Sequence, residues 1–176
     1  ITSTHREAGH LLAKGLDMYG FMAELLGRRD GSSRGKGGKF HISDLSSGIL
    51  GSQGVVGASI PIAAGAALAA KMRRTGQLVV CYFGDGAANQ GTFHEALNMA
   101  GVWKLPIIFA CENNLYGFSV RADRCTAVKD IAVRAAGYGF RGEVVDGNDV
   151  LAVRDAALRA RGEALSGTGP VLIEFK

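Results

Sequence analysis

Two short apolar runs with a helical segment between them constrain the fold of this chain most strongly. The runs are LVVCYF at residues 78–83 and IIFAC at residues 107–111, and both have the length and β-branched character of buried strands. Between them, residues 91–103 carry apolar side chains at a spacing close to i, i+3, i+4 and i+7, which predicts a helix. A strand–helix–strand unit of this size is a crossover connection, so we expect the two strands to be parallel.

The rest of the chain follows the same alternation. Residues 27–58 are rich in glycine and serine and are predicted to form a loop, whereas the helix beginning at residue 58 is expected to end near Gly76. The predicted helices are 7–26, 58–74, 127–137 and 149–165, and the further strands are 143–146 and 171–175. Alternating strands and helices predict an α/β fold, a doubly wound and mainly parallel sheet flanked by helices.

Length and composition limit the classes of protein. The 176 residues fit one domain, and 47% hydrophobic with 20% charged residues is typical of a globular chain. The net charge of +4 is scattered, which disfavours a nucleic-acid surface, and no apolar run is long enough to cross a membrane. Because the chain starts without Met and stops directly after a strand-like run, we expect residues 1–176 to be a single-domain fragment of a longer protein.

Polar residues follow both central strands. The first strand ends in Gly84-Asp85-Gly86 and the second in Asn113-Asn114. Carboxylate and amide oxygens are suited to Mg²⁺ or Ca²⁺, and Mg²⁺ completes its octahedron with phosphate oxygens and water. Gly86 would let a phosphate reach the backbone amides of Gly86 and Ala87 near the start of the following helix. The sequence therefore predicts a Mg²⁺-diphosphate site at the carboxyl ends of the strands.

The motif resembles a known family. GDG followed one crossover later by NN is similar to the thiamine-diphosphate motif of transketolase-like enzymes. GDGAANQGTFHEALNMAGVWKLPIIFACENNLYG resembles the alpha subunits of the E1 components of pyruvate and acetoin dehydrogenase complexes. The likeness continues in THREAGHLLAKG, RGKGGKFHISDL, GSQGVVGASIPIAAGAALAAK and VDGNDV, and so covers nearly the whole chain. It implies the thiamine-diphosphate-binding fold, specifically its diphosphate-binding domain.

The resemblance implies residue roles. Mg²⁺ would be bound by the side chains of Asp85 and Asn114 and by the backbone carbonyl of Tyr116. The cofactor-binding residues would be His5, Arg6, Gly54, Val56, Gly86, Ala87 and Asn114. Arg6 would pair with the diphosphate, Gly86 and Ala87 would contact it through backbone, and the backbone at Gly54 and Val56 would meet the aminopyrimidine ring. His41, which matches a family histidine, is a candidate for the active site.

The resemblance also implies an activity and partners. Thiamine diphosphate would decarboxylate a 2-oxo acid and pass the acyl group to a lipoyl-bearing E2 acyltransferase. The activating glutamate is expected on an E1 beta subunit in an α₂β₂ heterotetramer, so this chain alone is predicted to be inactive. Pyruvate or acetoin are the favoured substrates. The sparse, odd set of Cys81, Cys111 and Cys125 indicates a reducing compartment such as the bacterial cytoplasm.

Departures from the family keep other interpretations open. Ala8 stands where the family commonly has histidine, Gln53 replaces a common asparagine, and the chain stops before a family loop that helps to hold the diphosphate. The alternatives are another thiamine-diphosphate enzyme of transketolase type and a non-catalytic interaction subunit. Asp85 could instead cap a helix, and the Asn113-Asn114 pair could serve a turn. His94 is expected to be structural or exposed, and His10 is similarly uninformative.

Overall fold

Six parallel strands form one sheet in the computed structural model, which describes residues 1–176. The strands are β1 (Thr2–Thr4), β2 (Gly51–Gln53), β3 (Val79–Gly84), β4 (Ile107–Glu112), β7 (Arg141–Val145) and β8 (Val171–Phe175); β5 (Tyr116–Gly117) and β6 (Val120–Arg121) form a separate antiparallel hairpin. Across the sheet the order is β2-β1-β3-β4-β8-β7. The parallel arrangement predicted for the two central strands is confirmed.

Helices cover both faces of this sheet. They are α1 (Ala8–Lys14), α2 (Met18–Leu25), α3 (Ser59–Arg73), α4 (Gly91–Val102), α5 (Ala122–Cys125) and α6 (Val150–Leu165), with 3₁₀ segments at Asp85–Asn89 and Ile131–Tyr138. The larger core lies between the sheet and α3 and α4, where Cys81, Phe83 and Phe109 are fully buried. Alternate strand residues such as Ile108 and Ile173 pack with α6. The doubly wound fold is confirmed. None of the helices combines the length and apolarity needed to cross a membrane.

Two predicted helices differ from those in the structure. The helix expected at 7–26 is two helices, because Gly15 adopts a left-handed φ of 107° and Asp17 caps α2 by accepting the Gly20 N–H at 2.7 Å. The segment expected to be helical at 127–137 is a 3₁₀ helix, Ile131–Tyr138. The helix predicted at 58–74 agrees with α3, but its C-cap is Arg74, at φ 52°, rather than Gly76.

The loop predicted for residues 27–58 contains strand β2, and the sequence interpretation also missed strand β1. Each strand has only three residues, Thr2–Thr4 and Gly51–Gln53, which pair in parallel. Such short segments show no recognisable periodicity. They matter for the site because they extend the sheet beyond β3 and bring two more strand ends to the same edge.

Candidate cofactor-binding site

The site lies where the strand order reverses. From β1 the chain moves outward to β2, whereas from β3 it moves to β4 on the opposite side. Neighbouring strands β1 and β3 therefore send their following loops in opposite directions, and such a divergence opens a crevice at the carboxyl edge of the sheet. A pocket of about 580 Å³ lies at this edge.

The ends of four strands line this pocket. The lining residues include Thr4, His5 and Arg6 after β1; Gln53, Val55, Val56 and Gly57 after β2; Gly84, Asp85, Gly86 and Ala87 after β3; and Glu112, Asn114, Tyr116, Gly117 and Phe118 after β4. Among the site residues predicted from sequence, Gly54 and His41 are not part of the lining. They face each other instead, since a Cβ placed on Gly54 would lie 3.4 Å from His41 Nε2.

Asp85 is a buried carboxylate at the end of β3, with only 3% of its surface exposed. Burial raises the pKa of Asp85 above its ordinary value, and the negative charge of Glu174 adds to the rise. No lysine or arginine forms an ion pair with Asp85. A cation bound beside this carboxylate would offset both the desolvation and the repulsion.

The asparagine pair leaves β4 beside Asp85, because Gly84 and Glu112 are partners in the strand register. Asn113 is buried, its Nδ2 donates to Glu174 Oε1 at 2.6 Å, and its Oδ1 accepts the Leu115 N–H at 2.9 Å. Leu115 has a left-handed φ of 68°. Asn113 thus serves the turn, as one member of the pair was expected to do.

Asn114, the second member of the pair, lines the pocket. Its Oδ1 accepts the Tyr116 N–H at 3.0 Å, which leaves a second lone pair on an amide oxygen that carries two. Asn114 and Tyr116 both line the pocket with Asp85. The three predicted metal ligands therefore share one cavity.

The β5–β6 hairpin lies directly on the 3₁₀ turn Asp85–Asn89. A Cβ added to Gly86 would lie 3.2 Å from Gly117 Cα, closer than most packed side chains allow. Glycine at position 86 thus lets the backbone of the hairpin approach the 3₁₀ turn closely. The amides of Gly86 and Ala87 belong to this 3₁₀ turn, which is followed by α4 from Gly91.

Arg134 and His10 support the site and were not identified by the motif. The Arg134 guanidinium donates to the Ala88 carbonyl at 2.6 Å and to Asn89 Oδ1 at 3.1 Å, which holds the 3₁₀ turn from the outside. His10 Nε2 lies 3.1 Å from Glu112 Oε1 and its Nδ1 lies 2.8 Å from Ser3 Oγ. The Arg134 contacts and the contact between His10 and Glu112 join residues far apart in the sequence, so no local pattern predicts them. His94, expected to be structural or exposed, is exposed, and its Nδ1 lies 2.5 Å from the Tyr138 hydroxyl.

The predicted metal ligands in the pocket are all oxygen donors, and only the Asp85 carboxylate among them carries a charge. No group of three or more histidine, cysteine, aspartate or glutamate side chains is arranged to hold a metal. One carboxylate, one amide oxygen and one backbone carbonyl leave most of the coordination sphere to other ligands. Such a set suits a hard divalent ion that arrives with phosphate oxygens.

Solved structures with a similar fold define the class of protein. A protein from Mycobacterium smegmatis described as a thiamin diphosphate-dependent enzyme has a TM-score of 0.56 and 27% identity, over 73% of this chain and 23% of that one. Benzoylformate decarboxylase from Polynucleobacter necessarius has a TM-score of 0.51 and 23% identity, over 71% of this chain and 24% of that one. The chain therefore has the thiamine-diphosphate-binding fold.

Sequence comparison identifies the family. The alpha subunit of acetoin:2,6-dichlorophenolindophenol oxidoreductase from Bacillus subtilis is 52% identical over 174 residues, 99% of this chain and 52% of the relative. The pyruvate dehydrogenase E1 alpha subunit of Zymomonas mobilis is 46% identical over 176 residues, all of this chain and 50% of the relative. The family model for the dehydrogenase E1 component matches residues 1–176, so the chain belongs to that family. It spans about half the length of these curated relatives.

Proposed function

We propose that this chain binds Mg²⁺ and thiamine diphosphate as the diphosphate-binding domain of an E1 alpha subunit that acts on pyruvate or acetoin. One observation carries the proposal: Asp85, Asn114 and Tyr116 line the same pocket as Arg6, at the strand-order reversal. The family membership and the fold supply the cofactor class. The finer assignment of a metal and of individual ligands is ours.

The residues present fit the cofactor's charged end. Asp85 is buried without a cationic partner, and the exposed Arg6 forms no ion pair with a carboxylate. Asp85, Asn114 and the Tyr116 carbonyl would hold Mg²⁺. Arg6, with the backbone of Gly86 and Ala87, would hold the diphosphate oxygens, for which a guanidinium has suitable bidentate geometry.

The organic end would lie toward β1 and β2. His5 and Val56 line that side of the pocket, with Gly54 behind them. When bound, thiamine diphosphate supplies a carbanion that adds to a substrate carbonyl and a ring that accepts the electron pair released when the adjacent bond breaks. This chain's residues would hold and orient the cofactor. His41 remains a candidate for the active site.

The complete reaction requires partners. We assign the activating carboxylate to an E1 beta subunit in an α₂β₂ assembly and the acyl acceptor to a lipoyl-bearing E2 acyltransferase. The three free cysteines suit a reducing compartment such as the bacterial cytoplasm. A single domain of this type, forming part of a longer subunit, would bind the cofactor without catalysing turnover by itself.

Calorimetry with thiamine diphosphate and Mg²⁺ tests the proposal on the full alpha subunit paired with its beta subunit. We expect saturable binding that Asp85→Ala weakens by about 100-fold or more, because a metal ligand is lost. Asp149→Ala is the matched control, since Asp149 caps α6 by accepting the Leu151 and Ala152 N–H groups at 2.9 and 3.1 Å. Wild-type affinity in Asp85→Ala, or no binding by the wild-type pair, would contradict the proposal. Dye reduction with pyruvate or with acetoin then identifies the substrate.

A further inference from the structure

Glu24 is a fully buried carboxylate in α2 whose hydrogen-bond partners belong to the glycine-rich loop. Its Oε2 accepts the backbone N–H groups of Ser33 and Gly35, both at 2.8 Å. Its Oε1 accepts those of Gly37 at 2.7 Å and Gly38 at 3.1 Å. No lysine or arginine pairs with this carboxylate. The loop is therefore folded around a negative charge through its backbone.

Four donors outweigh the cost of burying this charge. Burial by itself would raise the pKa of Glu24, yet the four N–H groups together hold that pKa below its ordinary value. Glu24 is thus ionised at neutral pH. Hydrogen bonds to an ionised acceptor are about twice as strong as neutral ones, so this arrangement strongly favours one conformation of the loop.

The same contact explains why glycines are needed in the loop. A Cβ on Gly31 would lie 2.4 Å from Glu24 Oε2 and 2.6 Å from Glu24 Cα. Gly35 has a left-handed φ of 72°, and its Cβ would lie 2.6 Å from the carbonyl oxygen of Gly27. The glycine-rich run, which superficially suggests a phosphate loop, wraps a carboxylate of the chain itself.

The end of this loop reaches the candidate cofactor site. The Phe40 ring lies 6.0 Å from the ring of His5 in an edge-to-face arrangement. A Cβ on Gly54 would lie 3.4 Å from His41 Nε2 and 3.6 Å from Phe40 Cβ. Phe40 and His41 therefore support two of the segments assigned to the cofactor, one after β1 and one after β2.

We propose that Glu24 is a positioning residue, whose ionised carboxylate folds the glycine-rich loop so that Phe40 and His41 are held against the cofactor site. The inference rests on the proposed function for what the loop supports, but the folding of the loop does not depend on it. Glu24 itself does not line the pocket. Its effect is transmitted by the four backbone hydrogen bonds.

The test is Glu24→Gln in the full alpha subunit paired with its beta subunit. Glutamine has nearly the same size, but it lacks the charge and turns an amide nitrogen toward backbone donors. We expect trypsin cleavage after Arg34, Lys36 and Lys39 to accelerate and kcat/KM to fall by about tenfold or more, because small displacements at a reaction centre are costly. Glu24→Asp, which keeps the charge, should recover part of both properties.

Asp17→Ala is the matched control, because Asp17 caps the same helix but is not hydrogen-bonded to the four loop N–H groups that bind Glu24. It should lower Tm yet leave loop cleavage and kcat/KM within about twofold of wild type, as expected for lost stability alone. The inference is overturned if Glu24→Gln retains wild-type protease resistance and kcat/KM, or if Asp17→Ala reproduces its defects. If Glu24→Gln does not accumulate, Gly35→Ala tests the same loop, because its added Cβ would lie 2.6 Å from the carbonyl oxygen of Gly27; wild-type protease resistance and kcat/KM in that variant likewise overturn the inference. Trypsin cleavage is measured without cofactor. It therefore tests the conformation of the loop even if the wild-type protein fails to bind thiamine diphosphate.

Discussion

Glu7 is a buried carboxylate with one oxygen that has no partner. Only 1% of its surface is exposed, and its Oε2 has no hydrogen-bond partner. Burial raises the pKa of Glu7 above its ordinary value, so the folded state favours the protonated form. Ionised Glu7 consequently reduces stability above the raised pKa, and this penalty disappears as the pH falls through that pKa toward the value of the unfolded chain.

Glu7→Gln is therefore expected to stabilise the protein at neutral pH by roughly 1 kcal/mol, the usual scale of a single stabilising substitution, because the amide carries no charge to desolvate. The gain should shrink on acidification, because wild-type Glu7 is then neutral in both states. Thermal unfolding of both proteins at about pH 7 and about pH 4 measures the difference. Glu95→Gln, at an exposed position on α4, should change little at either pH. A variant less stable than wild type at neutral pH would refute the interpretation.

Among the helices and strands, the local sequence predicts the long or strongly apolar elements and misses the short strands. Strand β4 was predictable because all but the last of its six residues are buried, which gives a continuous apolar run. Strands β1 and β2 carry no such signal. Their pairing depends on neighbours elsewhere in the sheet. Arg74 ends α3 in a left-handed conformation that sequence would assign to glycine.

Two helical glycines separate intrinsic helix propensity from packing. Gly162 lies in α6, and a Cβ added there would meet nothing within 4 Å. Gly101 lies in α4, and its Cβ would lie 2.3 Å from the carbonyl oxygen of Tyr138. Glycine in the first position costs helix stability, whereas in the second it permits close contact with the 3₁₀ segment.

The same substitution should therefore have opposite effects. Gly162→Ala is expected to raise the free energy of unfolding by about 0.5–1 kcal/mol, since alanine favours the helix. Gly101→Ala should lower it by about 1–3 kcal/mol through overpacking. Urea denaturation of the two variants, each the control for the other, gives both values. If the two substitutions changed the free energy of unfolding in the same direction, helix propensity or global packing, rather than the local contact, would determine their effect.

At the scale of the whole molecule, the candidate site was only partly predictable. Asp85 and Asn114 could be identified from the sequence because each follows a predicted strand. Parallel strands joined by a single crossover end at the same edge of the sheet. The support for the site could not be predicted in the same way. Glu24 acts through backbone N–H groups, and Glu174 holds Asn113 from across the chain. Neither contact is marked by a recognisable motif in the sequence.

A ligand that spans the pocket should couple four strands that are otherwise unequally held. Strand β2 is an edge strand joined to β1 through three residue pairs, whereas β3 and β4 share six. Residues after β1, β2, β3 and β4 all line the pocket. Binding at that edge would therefore oppose opening of the weakest strand as well as of the whole fold.

Mg²⁺ with thiamine diphosphate should accordingly stabilise the paired alpha and beta subunits by about 2.7 kcal/mol at 100 times the dissociation constant. Amide hydrogen exchange should slow at Gly51–Gln53 more than in β4. The edge strand is held by fewer hydrogen-bonded pairs and opens more easily, so a bound ligand stabilises it more than the central strand. Thermal melts and exchange with and without a chelator measure both effects, and chelation should reverse them. Thiamine without its diphosphate is the control and should do little. Equal stabilisation by thiamine, or protection from exchange that survives removal of Mg²⁺, would show that the metal and the diphosphate are not what stabilises the strands.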